Sequence, residues 1–295
     1  MFLFAAEGGH HTPLIVEFIN HYLGEPVHRF QMTVTRPIWD AILIPFGTTP
    51  EALFGEYTPE TAIPWYTIMF VIACILTMVV IWILKGKLST EDPSNGQLTL
   101  EAGILALRDL VVSVIGEHGF KYFPVVATFA VLILVSNLMG LFPLFMSPTA
   151  SINVTLALGI TSFVYYNYVG IRENGLLAHL GHFMGPIWWI APLIFLIEIF
   201  SNLIRPVTLG IRLFANMFAD EQIDAIISGL FPPFTQILVP VVLLPLALFV
   251  ALVQTLVFTL LSMIYISEVS HAPHDHTHGG VHSEATGEAI ATAHV

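Results

Sequence analysis

Long stretches without a single charged side chain divide this chain. From Thr61 to Leu84 there is no Asp, Glu, Lys or Arg, and the run IPWYTIMFVIACILTMVVIWIL is uniformly apolar. Crossing a bilayer core takes about 20 apolar residues in a helix, so a spanning helix is predicted at about 64–84, closed by Lys85 and Lys87. The next uncharged run lies between Lys121 and Arg172 and is too long for one helix. Pro143, Pro148 and the small polar residues of FPLFMSPTASINVT break it. It therefore reads as a transmembrane hairpin, about 123–146 and 152–171. A further segment at about 186–227 is apolar but interrupted by charge, and a turn, SGLFPPF, follows it. Ala225 to Ser267 is uncharged again and predicts a last helix at about 235–266.

The remaining segments have other patterns. KLSTEDPSNGQ is a loop by composition. LTLEAGILALRDLVVSVIGEHG has apolar residues at helical spacing with Glu101, Arg108 and Asp109 among them, which predicts an amphipathic surface helix at about 98–117. Residues 172–185 form a loop with His179 and His182. Residues 1–60 are rich in Gly, Pro and polar side chains, with room for a short interfacial helix. The opening MFLFAAEGGHH lacks the basic start and apolar length of an ordinary cleaved signal. Residues 269–295 are polar and His-rich and predict a disordered tail. The chain is thus an all-α integral membrane protein: an N-terminal segment 1–60, a membrane domain 61–268 and the tail.

Composition agrees with that class. Only 10% of the 295 residues are charged, against about 25% in soluble domains. The net charge of −12 argues against nucleic acid, which needs a basic face. Cys74 is the only cysteine, so no disulfide forms within the chain, and it reads as a small packing residue. Five membrane segments put the termini on opposite sides. Lys85, Lys87, Arg108, Lys121 and Arg172 all fall on one side of this threading, so the N-terminus is expected outside and the C-terminus in the cytoplasm.

The charges inside 186–227 change the picture from anchor to function. On an ideal helix, Arg205 and Ser201 lie about 20° from Arg212, and Glu198, Thr208 and Asn216 about 40°. One narrow face thus carries Glu198, Ser201, Arg205, Thr208, Arg212 and Asn216. Glu221, beside Asp220, falls near the opposite side, and Pro206 weakens the register by removing one backbone bond. A guanidinium cannot shed its charge, and placing one at the bilayer centre costs at least about 2.5–3.5 kcal/mol. The bland alternative is an ion-pair network that only holds helices together, with Glu198 and Arg205 as a pair. Arg205 also has a snorkelling position open to it. On the last helix Gln254 lies about 20° from Tyr265 and about 80° from Ser262. It is a candidate for interhelical bonding, with the Arg212 face as its partner.

Two other function classes remain open to comparison. A secondary transporter would also bury Arg, but it should show paired repeats with broken helices, and none is visible. A membrane-embedded enzyme would need a motif such as HExxH or a Ser/His/Asp set, and the helices have none. No cofactor is expected and no metal site is assigned. His271, His274, His276 and His278 are closely spaced, with incidental affinity in a disordered tail as the plain reading and metal binding as the other.

RPVTLGIRLFANMFADE, followed by ALVQTLVFTLLSMIYIS, resembles the a-subunit family of F-type ATP synthases, and NLMGLFP and SPTASINVTLALG are similar to that family too. The resemblance covers roughly residues 60–268. It implies two long tilted C-terminal helices facing a ring of c subunits, in a bacterial plasma membrane. The implied partners are that ring, the b subunits of the peripheral stalk, the catalytic head reached through the stalks, and the lipid bilayer. Arg212 matches the family's essential arginine, which separates two offset half-channels. Asn216 and Gln254 match its polar companions, Glu198 an acid lining the cytoplasmic access path, and Glu221 a polar position of the outer path. Ser201, Thr208 and Asp220 join the implied proton path, with Arg205, Asn137 and Tyr265 in support. Departures fall on the outer path: Ala215 where Gly is frequent, an extra acid at Asp220, Ala247 where His or an acid is common, and Ser151 and Gly140 where some relatives have Asp. Sodium-driven relatives share the subunit, and ion choice resides mainly in the ring.

Overall fold

The computed structural model describes residues 13–49, 58–59, 62–142, 145–175, 190–228 and 234–270. The chain is all-α, with no strand among the described residues. The His-rich tail beyond Ser270, the His179/His182 loop, most of the SGLFPPF turn and the first twelve residues lie outside the described residues.

Eight α-helices are described: α1 Leu14–Phe30, α2 Arg36–Leu43, α3 Trp65–Lys85, α4 Asn95–Ile115, α5 Phe123–Met139, α6 Ile152–Asn174, α7 Ala191–Ser228 and α8 Phe234–Ser270. Among the described residues five helical stretches have the length and apolarity to cross a membrane. They are Trp65–Lys85, Glu117–Met139, Ile152–Asn174, Leu193–Ile223 and Leu243–Ser270. This is the fold class that the apolar runs predict. The N-terminal segment is more helical than its composition suggests. A π-helical turn, Gln31–Thr35, joins α1 to α2, so helix continues from Leu14 to Leu43. Tertiary contacts override the weak local pattern there: Asn20 bonds both the N–H and the carbonyl of Ile63, at 3.2 and 3.1 Å, and Gln31 donates to the Ala62 carbonyl at 2.8 Å.

Local chemistry sets several helix ends. Ser94 caps α4 by accepting from the Gln97 N–H at 3.2 Å. Pro124 occupies the first turn of α5, where its missing N–H is harmless. The hairpin between α5 and α6 narrows to a 3-10 turn, Pro148–Ala150, whose three residues are all buried.

Three apolar clusters hold the bundle. One joins Val111, Ile115, Tyr122, Val126, Tyr166, Val169, Met263 and Ile266, at the end of the bundle that includes Lys121 and Arg172. The middle one packs Phe129, Ile133 and Leu158 against Leu209, Leu213 and Phe258. The third packs Val16 against Ile68, Met69, Ala73 and Met139 at the far end. α5 and α6 are the inner helices, with 50% and 44% of their most apolar stretches buried, whereas α7 and α8 reach only 22% and 28%. Large apolar side chains such as Leu196, Phe200, Leu203, Ile211, Phe249, Leu252 and Leu256 are left exposed on these two helices. An apolar surface of this kind needs lipid or a partner protein.

α6 and α7 cross with almost no side chain between them. A Cβ added at Gly159 would stand 2.5 Å from the Pro206 carbonyl oxygen, and one at Gly210 would stand 2.9 Å from the Thr155 carbonyl oxygen. Both obstacles are backbone, so neither helix can yield by turning a rotamer. Gly159→Ala and Gly210→Ala are each expected to destabilise the subunit by about 1–3 kcal/mol, the usual cost of overpacking. Gly103→Ala on α4, where nothing lies within 4 Å, serves as the neutral control. Thermal unfolding of the purified complex in detergent checks the order. Equal midpoints for Gly103→Ala and Gly159→Ala would contradict the close crossing.

Candidate functional site

α7 carries the candidate site: among the described helices it alone is apolar with acids toward both ends and two cations, Arg205 and Arg212, between them. At about 1.5 Å per residue, Glu198 lies about 21 Å from Arg212 along the axis and Glu221 about 13 Å on the other side. All three lie within the stretch Leu193–Ile223, which has the length and apolarity to cross a membrane, so the acids flank Arg212 at well-separated levels of one helix.

Ser201, Thr208, Arg212 and Asn216 are exposed, whereas Glu198 and Arg205 are half-buried. Leu209, Leu213 and Met217, on the other side of the helix, fill the middle cluster. Arg212 makes no hydrogen bond or ion pair with the described residues. The Thr208 hydroxyl donates back to its own helix, at 3.1 Å from the Ile204 carbonyl and 2.9 Å from the Arg205 carbonyl. It therefore offers mainly its lone pairs outward.

One helical turn from Arg212, Asn216 donates to the Gln254 Oε1 at 2.6 Å, which ties α7 to α8. Gln254 is 2% exposed, and its Nε2 has no partner among the described residues. A buried donor without a partner costs about 1–3 kcal/mol. Thr255, the next residue, faces the hairpin side: Asn137 Nδ2 approaches its hydroxyl and the Ala251 carbonyl, both at 3.4 Å.

From Asn137 a polar chain runs to Glu221. Thr149 donates to the Asn137 Oδ1 at 2.7 Å, and the Thr149 and Ser147 hydroxyls are hydrogen-bonded at 2.6 Å, with either able to donate. The Ser147 N–H donates to Glu221 Oε1 at 3.1 Å. Ser136, Asn137, Ser147 and Thr149 are each 0% exposed. Ser136 Oγ and Asp220 Oδ2 are buried and unpartnered among the described residues. The sequence pattern placed Glu221 off the Arg212 face. The structure gives the reason: it turns toward the α5–α6 hairpin. Ser136, Ser147, Thr149 and Thr255 escaped sequence reasoning, because isolated Ser and Thr are ordinary in membrane helices. The clustering of polar residues in NLMGLFPLFMSPTASIN signals Ser147 and Thr149; nothing local signals Ser136 or Thr255.

At the opposite end Arg205 is the hub. Its guanidinium grips Glu268 of α8 with two bonds, 2.5 and 3.0 Å, and lies 5.2 Å from the Tyr265 ring centroid. Glu198 is at 3.8 Å, outside hydrogen-bond range. The intrahelical Glu198–Arg205 pair suggested by spacing is thus the weaker of two contacts. Glu268 was missed because it stands at the join with the polar tail and pairs across 63 residues. Nearby, the Tyr166 hydroxyl of α6 donates to the Asn202 side-chain oxygen, and the Ser162 and Ser262 hydroxyls meet at 3.0 Å. Among the described residues no three His, Cys, Asp or Glu side chains stand close enough to hold a metal ion. Asp224, adjacent to the outer acids in sequence, has a side chain outside the described residues.

A family model described as ATP synthase A chain matches residues 67–267. The ATP synthase subunit a of Trichlorobacter lovleyi is 42% identical over 192 residues, 65% of this chain and 81% of that relative. The protein of the same description from Aquifex aeolicus is 38% identical over 205 residues, 68% of this chain and 94% of its own length. That of Desulfosudis oleivorans is 39% identical over 224 residues, covering 76% and 95%.

The Asn216–Gln254 bond is expected to contribute modestly to stability. Asn216→Ala, Gln254→Ala and the double variant form a cycle whose coupling energy should be about 0.6 kcal/mol and not above about 1.7 kcal/mol. Unfolding midpoints of the purified complex measure it. A coupling near zero would mean that the two side chains do not meet.

Proposed function

The chain belongs to the ATP synthase A chain family, and on that premise we propose that Arg212 separates two offset half-channels at the face of a c-subunit ring. Members of this family are non-catalytic, proton-translocating subunits of the membrane sector. In this reading α7 and α8 form the fixed wall along which the ring turns. The observation that carries it is the exposed guanidinium of Arg212, without a hydrogen bond or ion pair among the described residues, on the polar stripe of an otherwise apolar helix.

Protons enter from outside along the path marked by Asp220, Glu221, Ser147, Thr149 and Asn137, pass the Asn216–Gln254 pair, and reach a carboxylate on a ring subunit. The neutral acid can face lipid, because burying its charged form would be far more costly. After nearly a full turn the ring acid meets the second half-channel near Glu198 and loses its proton toward the cytoplasm. Ser201 and Thr208 line the approach. Arg212 attracts the ionised ring carboxylate, favours proton release and repels cations that would cross directly. Arg suits the position better than Lys, since a buried ammonium can neutralise and a guanidinium cannot. Each charge crossing the membrane gains about 2.3 kcal/mol per 100 mV, and several protons per turn drive synthesis in the catalytic head. Arg205 and Tyr265 brace the inner end. The b subunits hold the chain against the head. The N-terminus lies outside and the C-terminus in the cytoplasm of a bacterial plasma membrane, with the membrane domain at 61–268.

Arg212→Ala is expected to abolish proton-driven ATP synthesis while the complex still assembles, and Arg212→Lys to be nearly as damaging. Synthesis in energised inverted vesicles and copurification of ring and head are the two measurements. Coupled synthesis at the normal rate in Arg212→Ala would sink the assignment. In the same vesicles Glu221→Gln should slow proton flux only in part, because Asp220 and Asp224 stand nearby in the sequence. A complete block would show that Glu221 acts alone.

A further inference from the structure

Glu198 and Glu268 compete for one guanidinium. Arg205 is 21% exposed and lies between them, bound to Glu268 through two hydrogen bonds and merely near Glu198 at 3.8 Å. Planar fork geometry favours the bidentate partner over a single distant oxygen. The stacking of Arg205 on Tyr265 favours the same rotamer, because Tyr265 and Glu268 are one helical turn apart on α8. Glu198 is left 35% exposed with no hydrogen bond to the described residues.

We propose that Glu268 is a positioning residue for proton transfer at the inner end: by occupying the Arg205 fork it keeps that cation off Glu198, leaving the Glu198 carboxylate free to take up and release protons. This rests on the reading of Glu198 as an inner-path acid. Among the described residues the charged and titratable groups facing Glu198 are few. α7 itself presents Arg205, and α8 presents Tyr265 and Glu268. α6 brings Tyr166, whose hydroxyl is engaged by Asn202. At the same end of α6 stand Arg172 and Glu173, and Glu173 is bound to Lys121 at 2.7 Å. Arg205 and Glu268 together present little net charge to Glu198. Removing the Glu268 charge leaves an unopposed guanidinium already within reach, and a cation at that distance lowers a carboxylate's proton affinity. Removing Arg205 leaves two carboxylates with no cation between them, and their repulsion raises it.

The test is ATP-driven proton pumping by the whole complex in inverted vesicles, whose cytoplasmic face meets the medium, normalised to uncoupled ATP hydrolysis over a pH series. Glu268→Gln is expected to move the pumping profile by about one unit toward acid pH, the low end of the effect of a neighbouring opposite charge. Arg205→Gln should move it toward alkaline pH. The double variant should return close to the wild-type profile. A role limited to bracing α7 against α8 predicts lower rates without a shift, and no recovery in the double variant; that result would overturn the proposal, as would shifts in the same direction. If Glu268→Gln fails to assemble, the alkaline shift of Arg205→Gln and its cancellation in the double variant decide alone. Glu198→Gln separates the two levels of argument. A normal profile there removes Glu198 from the path, whereas its loss together with an unshifted Glu268→Gln rejects only the positioning role.

Discussion

A guanidinium that cannot discharge governs the arrangement of this molecule. Arg212 lies within an apolar helix; its guanidinium keeps its proton, and no acid among the described residues pairs with it. The acids of α7 are kept far along the axis, about 13 Å away toward Glu221 and about 21 Å toward Glu198. Glu221 is drawn further off by its bond to the Ser147 N–H, and Arg205 is occupied by Glu268. Among the described residues the positive charge thus stays unpaired where a pair would be cheaper. Such a choice makes sense when the counter-charge arrives from another molecule.

Holding that charge in place falls to polar bonds between helices at three levels. Near one end, Arg205, Glu268, Tyr166 and Asn202 link α6, α7 and α8. In the middle Asn216 meets Gln254. Toward the other end the hydroxyls of Ser147 and Thr149 join Asn137 and Glu221. In hydrocarbon an unsatisfied polar group is costly, so each bond also fixes rotation about the helix axis. The exposed face is then set by what the buried faces must satisfy.

The fold class is legible in the sequence because a bilayer imposes a length and a composition on each crossing. Runs such as Thr61–Leu84 carry no charge and admit little else. The face around Arg212 is legible too, since it is periodic within one helix. Pairings across the bundle are not. Glu268 finds Arg205 across 63 residues and Ser147 finds Glu221 across 74; nothing local marks either. The helix from Leu14 to Leu43 was hidden for a related reason, because Asn20 and Gln31 dock it to backbone near the start of α3.

The crossing at Gly159 and Gly210 has a mechanical side. Side chains between packed helices act as soft spacers, since their torsions adjust under load. Here backbone meets backbone, with the Pro206 and Thr155 carbonyls where a methyl group would otherwise sit. A sideways push on α7 finds no torsion to absorb it and passes to α6 as movement of a whole helix. α6 is itself wedged among the apolar clusters of the bundle. The helix that carries the charge therefore has low compliance at its midpoint, and its polar face moves only as the bundle moves.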